Sequence, residues 1–461
     1  MWRWRIQILY PLVKVPGPWY TIWAKLPLKL AVMSGRRVEY VHALHQKYGP
    51  YVRIAPTEVA VNDLAGSKQI HNINSAFTKT EWYQILNCME RVGVFAMSNP
   101  SERAARRRLF ARPFSKTHLR EHWEGTVKER VDMAISRMED ELSSTGIADM
   151  MKWLTLMASD ASSQLMFGEC FHTLENGEIN NYIRTLQKAL MGGGIARLPF
   201  QWAKELFNCN NFLLEYGRAA VDHMKAEKDA KNIFANMLAE LEKGEQLDEK
   251  DVQIEATNLI VAGTDTTAVT LTYFIWAVMS HPSVGRELQE EVASLPLGYK
   301  DVELEFLPLL NAVIEETLRL YGAAPVMLPR LVPQGEVTLG EFDLPENSIV
   351  STQSYSLHRD SDLFPDPEKF IPSRWLQSSR VETKYRLTSA AKAAFNPFGM
   401  GSRTCLGVRL AYMELRLAAA EFFRRISPVA RLVPSASAKC MEMENYFLIA
   451  PAGHKWEIMV K

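Results

Sequence analysis

Residues 398–407 read Phe398-Gly399-Met400-Gly401-Ser402-Arg403-Thr404-Cys405-Leu406-Gly407. One cysteine stands in a loop punctuated by three glycines, with an arginine two positions before it. Glycine lets a backbone approach a bulky neighbour without a Cβ in the way. A thiolate is a soft, electron-rich ligand, and an arginine brings a fixed cationic fork that suits a carboxylate. From Val408 onward the spacing turns helical, so Cys405 is predicted just before a helix N-terminus, where a negative sulfur is stabilised. The bland alternative is that a lone cysteine is simply a small buried hydrophobe.

A second informative stretch spans residues 251–280, one helical register halted by His281-Pro282. It is apolar nearly all round, as a membrane span or the central helix of a large core would be. Asp265 at its middle argues against lipid, where a central charge costs roughly 2.5–3.5 kcal/mol. Within it lies Ala262-Gly263-Thr264-Asp265-Thr266-Thr267. Ala262, Asp265 and Thr266 are expected to share one face, and Gly263 to leave room for a flat ligand. The competing reading is a threonine that merely bonds back to the preceding turn.

Elsewhere, residues 38–48 have helical spacing, and residues 51–54 and 58–61 read as short strands around Pro56. Residues 82–96 look irregular and aromatic, and residues 117–168 helical and amphipathic. So does much of 180–241, interrupted by Gly192-Gly193-Gly194. Arg103, Arg106, Arg107, Arg108 and Arg112 form a basic run, which by default is a solvated face. Glu316 and Arg319 stand one helical turn apart, ordinarily a weak surface pair. His358 reads equally well as a satisfied structural histidine.

Of the 461 residues, 53 are basic and 53 acidic. That balance argues against a nucleic-acid partner held by bulk charge. The five scattered cysteines suit a reducing compartment. Residues 1–13 carry two tryptophans and two arginines but fall short of the ~20 apolar residues a span needs.

Together these motifs resemble the cytochrome P450 family, from a proline-rich hinge at residues 16–18 to the cysteine loop. The phrasing of that loop is similar to fungal microsomal members that decorate secondary metabolites. The resemblance implies a mainly α fold with a small β region and haem b between the long helix and the cysteine-loop helix. Residues 1–18 would be a stub of an N-terminal anchor with its hinge, and residues 19–461 one catalytic domain. Cys405 would be the axial ligand of the haem iron, with Phe398, Gly399, Arg403, Gly407, Ala262 and Gly263 around the haem. Arg107, Arg330 and His358 would reach its propionates. Arg103 stands where the family usually has an aromatic or histidine, so its role is open. Thr266 and Asp265 would handle oxygen and its protons, and Glu316, Arg319 and Arg374 would form a buried triad locking the cysteine loop. Val326, Met327 and Tyr446 would face an apolar substrate.

The activity implied is insertion of one oxygen atom of O2 into that substrate. Electrons would come from an NADPH–cytochrome P450 reductase, because no dinucleotide fingerprint occurs in this chain. The remaining arginines would offer a basic face to that partner. The expected location is the cytosolic face of the endoplasmic reticulum membrane. Two alternatives stay open at this point. One is a reductase-independent isomerase, dehydratase or peroxygenase of the same family. The other is a non-enzymatic protein in which Cys405 is structural or binds zinc, although no second Cys or His lies near it.

Overall fold

The computed structural model describes residues 12–87, 91–181, 183–185, 215, 218, 232–234, 248–377, 382–433 and 438–461. The triple glycine at 192–194, Cys88, Cys209 and most of the N-terminal stub lie outside the described residues.

The core is assembled around the helix Glu249–Met279. Asp248 caps its start by accepting the Lys250 amide at 3.0 Å, and Pro282 opens the next helix, Pro282–Ala293. The long helix is apolar and long enough to cross a bilayer, but it packs along Met150–Phe167, Pro308–Tyr321 and Val408–Glu421. Thr257, Thr264 and Thr272 on it return their buried hydroxyls to carbonyls four residues earlier, at 2.8–2.9 Å. This satisfies polar groups that an apolar core would otherwise leave stranded.

The stretch 117–168 is helical, as its spacing predicts, in three pieces. It divides into Lys116–His122, Glu124–Thr145 and Met150–Phe167. The last break falls at Gly146, a left-handed C-cap at φ 78°, followed by the strand Ile147–Asp149. That strand pairs antiparallel with Glu457–Val460, so the break is set by a contact with the chain's far end. The irregular reading of 82–96 is also corrected at its start, where Trp82–Asn87 is helical.

The β region is small. Its main sheet runs in the order Tyr51–Ala55, Glu58–Val61, Ile349–Gln353, Met327–Leu331 and Thr78–Lys79. Glu58–Val61 and Ile349–Gln353 are parallel, and the other pairs antiparallel. A separate hairpin, Met443–Asn445 with Ile449–Pro451, leaves residues 446–448 at its tip. The architecture is mainly α with a small β region.

Candidate active site

The cysteine loop is held by its own backbone. Cys405 donates its amide to the Phe398 carbonyl at 2.9 Å, and Gly399 and Gly401 take φ values of 77° and 60°. A Cβ at Gly401 would lie 1.8 Å from the His71 carbonyl oxygen, so only glycine fits there. Cys405 lies three residues before the helix Val408–Glu421. Its thiol is exposed on the wall of a cavity of about 410 Å³. Burial pushes the thiol's pKa up, while the Gly407 amide and the Arg107 guanidinium favour the thiolate. Phe398, Gly399, Arg403 and Gly407 line the same cavity.

The long helix supplies another wall. Asn258, Ala262, Gly263, Thr266, Thr267 and Thr270 face the cavity, a stripe of the spacing expected for one helical face. Thr266 donates its hydroxyl to the Ala262 carbonyl at 2.6 Å, leaving its oxygen lone pairs free to accept. Asp265 is buried beside this stripe and is not on the cavity wall. Burial alone raises its pKa to about 7. The demand for glycine at 263 also comes from elsewhere than expected. A Cβ there would approach Ser162 Oγ to 2.5 Å, so the helix Met150–Phe167 forbids a side chain.

Glu414, missed in the sequence, completes this side. It accepts the Thr267 hydroxyl at 2.9 Å from the cysteine-loop helix. Burial drives its pKa to about 8. A charge amid the apolar run 410–420 was the available signal.

One region of the cavity is cationic. Arg103, Arg107, Arg330 and Arg403 line it together with Lys79, and among the described lining residues Glu414 is the one acid. Arg330 donates to the Tyr83 hydroxyl at 2.6 Å, and Arg103 to the Ser402 carbonyl at 2.7 Å. Arg103 Nε and Arg403 Nη1 are buried without a hydrogen-bond partner. Burial and the charges of Arg103 and Arg330 lower the pKa of Arg403 to about 9. Lys79, whose ammonium bonds the Phe95 carbonyl, is likewise pushed well down by burial and then by the arginines. Such a cluster lacks anions, and the two propionates of a haem fit it in charge and in hydrogen-bonding type. The basic run is thus no simple solvated face. Arg103 and Arg107 face the cavity, Arg106 pairs with Asp251 and Glu255 at 2.9 and 3.1 Å, and Arg108 and Arg112 are exposed.

Behind the loop, Glu316 accepts from Arg319 at 2.9 Å, Arg374 at 3.1 Å, Trp375 at 2.9 Å and the Ile371 amide at 2.8 Å. All three charged side chains are buried. His358 extends this frame and does not line the cavity, which corrects the expectation of a propionate contact. Its Nδ1 meets the Arg319 carbonyl at 3.2 Å, and its Nε2 accepts the Asn396 amide at 3.0 Å. Asn396 in turn accepts the Gly399 amide at 2.9 Å. The triad therefore reaches the cysteine loop through a neutral histidine, whose pKa burial lowers to about 3.

The apolar part of the cavity is lined by Val94, Phe95, Val326, Leu328, Phe447 and Leu448. Met327 is not among them. It packs with Val41, Val52 and Ile54 on the other face of the sheet, because side chains alternate along the strand that sends Leu328 and Arg330 inward. Tyr446 is corrected too. It turns against Gly35, whose added Cβ would lie 3.3 Å from the Tyr446 ring, and leaves the tip to Phe447 and Leu448.

The geometry agrees with relationships across the chain. The family model described as Cytochrome P450 matches residues 15–457. The chain is 35% identical to the cytochrome P450 monooxygenase cypX of Dothistroma septosporum, over 98% of this chain and 91% of that protein. It is 36% identical to the cytochrome P450 monooxygenase stcB of Emericella nidulans, over 96% and 87%. With a family model matching nearly its whole length and relatives at about 35% identity, this chain belongs to the cytochrome P450 family as a monooxygenase.

Proposed function

We propose that this monooxygenase holds haem through Cys405 and inserts one oxygen atom of O2 into an apolar organic substrate, as a step of fungal secondary metabolism. One observation carries the reading. The Cys405 thiol, the Thr266 hydroxyl and a cluster of cationic side chains, with Arg103 Nε and Arg403 Nη1 left without a hydrogen-bond partner, all border a single cavity. Bound haem would supply the one-electron and dioxygen chemistry that side chains lack. Arg103, Arg107, Arg330, Arg403 and Lys79 would neutralise its propionates. Burial raises the pKa of the Cys405 thiol, and the Gly407 amide and Arg107 oppose that rise.

Thr266 is placed to accept a hydrogen bond inside the cavity while its own proton is held by Ala262. Asp265 holds a proton near neutrality, and reaching the cavity would require its side chain to rotate. Electrons would come from an NADPH–cytochrome P450 reductase. In a system reconstituted with that reductase, Thr266→Ala is expected to keep NADPH consumption but to divert at least half of it to hydrogen peroxide. Unchanged product per NADPH would contradict the assigned role of Thr266.

The proposed location is the cytosolic face of the endoplasmic reticulum membrane. Trp19, Trp23, Leu26, Leu30 and Met33 are exposed along residues 19–33, next to Lys25 and Lys29. Aromatic and basic side chains of this kind favour a bilayer interface. Replacing Trp19 and Trp23 by serine is expected to weaken co-sedimentation with anionic vesicles several-fold. Undiminished binding would remove this segment from the membrane contact.

A further inference from the structure

We propose that Cys170, His172 and Glu175 form a site for a soft divalent cation, zinc in the first place. None of the three lines the cavity bordered by Cys405, and the inference does not depend on the haem reading. The Cys170 sulfur, a His172 ring nitrogen and a Glu175 carboxylate oxygen lie within 4.8 Å of one another. His172 Nδ1 stands 3.5 Å from Glu175 Oε1. Zinc bonds of about 2.0–2.3 Å set tetrahedral ligand atoms roughly 3–4 Å apart, so a small inward movement completes the set. Thiolate and imidazole select zinc over magnesium or calcium, which prefer oxygen ligands. Three protein ligands leave the fourth position to water.

The donors come from one short stretch, and the chain around it is pinned. Ser163 accepts the Phe171 amide at 3.2 Å, and Asp160 accepts the Thr173 and Leu174 amides at 3.1 and 2.9 Å. Both acceptors belong to the helix Met150–Phe167, so the turn 170–175 is held against a core element. Glu175 divides its oxygens. Oε1 accepts from Arg130 Nη1 at 3.0 Å, whereas Oε2 is buried with no hydrogen-bond partner among the described residues. That stranded oxygen is the one a cation would satisfy. Arg130 also reaches the Cys170 sulfur at 3.7 Å, so one guanidinium orients two of the three donors, as outer partners of a metal site commonly do. Its charge opposes the cation, and Glu129 offsets part of that charge at 2.9 Å. Burial pushes the Cys170 thiol up to about 12, against the pull of the His172 amide and Arg130, so zinc enters by displacing a proton. His172 is exposed and offers the way in from solvent.

The test is equilibrium dialysis of the tag-free, haem-loaded protein against zinc, with X-ray absorption at the zinc edge, which the haem iron does not obscure. About one zinc per chain is expected at micromolar free zinc, with a single sulfur at about 2.3 Å. Cys170→Ser, nearly isosteric, should lose the sulfur and bind zinc about 100-fold more weakly. His172→Asn supplies a residue that tolerates the left-handed backbone at φ 54°. It should weaken zinc binding to a similar degree and leave the carbon monoxide spectrum unaltered. Zinc held at full affinity in both variants would overturn the inference. So would a shell of oxygen and nitrogen alone in the unaltered protein, or no binding below about millimolar zinc. Failure of haem ligation at Cys405 would bear on the monooxygenase reading alone, because the zinc donors are a separate set.

Discussion

Glu414, Asp265 and Glu255 are three carboxyl groups that burial makes reluctant to ionise, with pKa values raised to about 8, 7 and 7. His71, His358 and His45 are the mirror image, with values lowered by burial to about 3, 3 and 4. The signs oppose. A raised acid makes the folded chain bind more protons than the unfolded one, so stability falls as pH rises from about 4.5 to the folded value. A lowered histidine binds its proton only when unfolded, so stability rises with pH up to about 6.5. The two sets offset each other below about 6.5, and only the acids act above it. The free energy of unfolding should therefore decline from pH 6.5 to 8, by about 3 kcal/mol for these three acids, and the denaturation midpoint with it. Glu414→Gln should remove about half of that decline. A midpoint that holds or rises across this window would contradict the burial assigned to these acids. None of the six effects was legible in the sequence, because each depends on what the surrounding helices cover.

At the scale of elements, the frame behind the cysteine loop joins a helix, a proline-rich turn and the loop through Glu316. Removing that carboxylate would leave Arg319 and Arg374 buried as like charges. Glu316→Ala should cost about 3–5 kcal/mol and release haem at lower denaturant, measured by loss of its absorption. Wild-type stability in that variant would mean the triad is dispensable to the loop. Glu316, Arg319 and Arg374 were legible as a set because their spacing matches a family pattern, although spacing alone reads as a surface pair. The strand 327–331 shows the limit. Its residues were expected to line the cavity, yet period-two alternation sends Leu328 and Arg330 inward and Met327 to the opposite face. Which parity faces inward is fixed by pairing with Ile349–Gln353, a partner remote in sequence. The hairpin tip failed in the same way, since Gly35 decides where Tyr446 turns.

Across the whole molecule, residues 71, 79, 103, 107, 258, 262, 266, 330, 403, 405 and 414 converge on one cavity from separate parts of the chain. The cysteine loop and the long helix could be placed from their own patterns. Lys79 and His71 could not, because nothing local marks a two-residue strand or a helix end as part of a charged pocket. Arg103 became interpretable only once Ser402 was seen to accept from it. The convergence makes sense if a flat dianionic ligand sits against Cys405, with its acids among those cations. The most direct check is the absorption spectrum of the haem-loaded, dithionite-reduced protein with and without carbon monoxide. A Soret band strongly red-shifted by carbon monoxide, abolished in Cys405→Ser, is the predicted result. A band at the position of histidine-ligated haem, or no haem band in folded protein supplied with haem, would contradict ligation by Cys405.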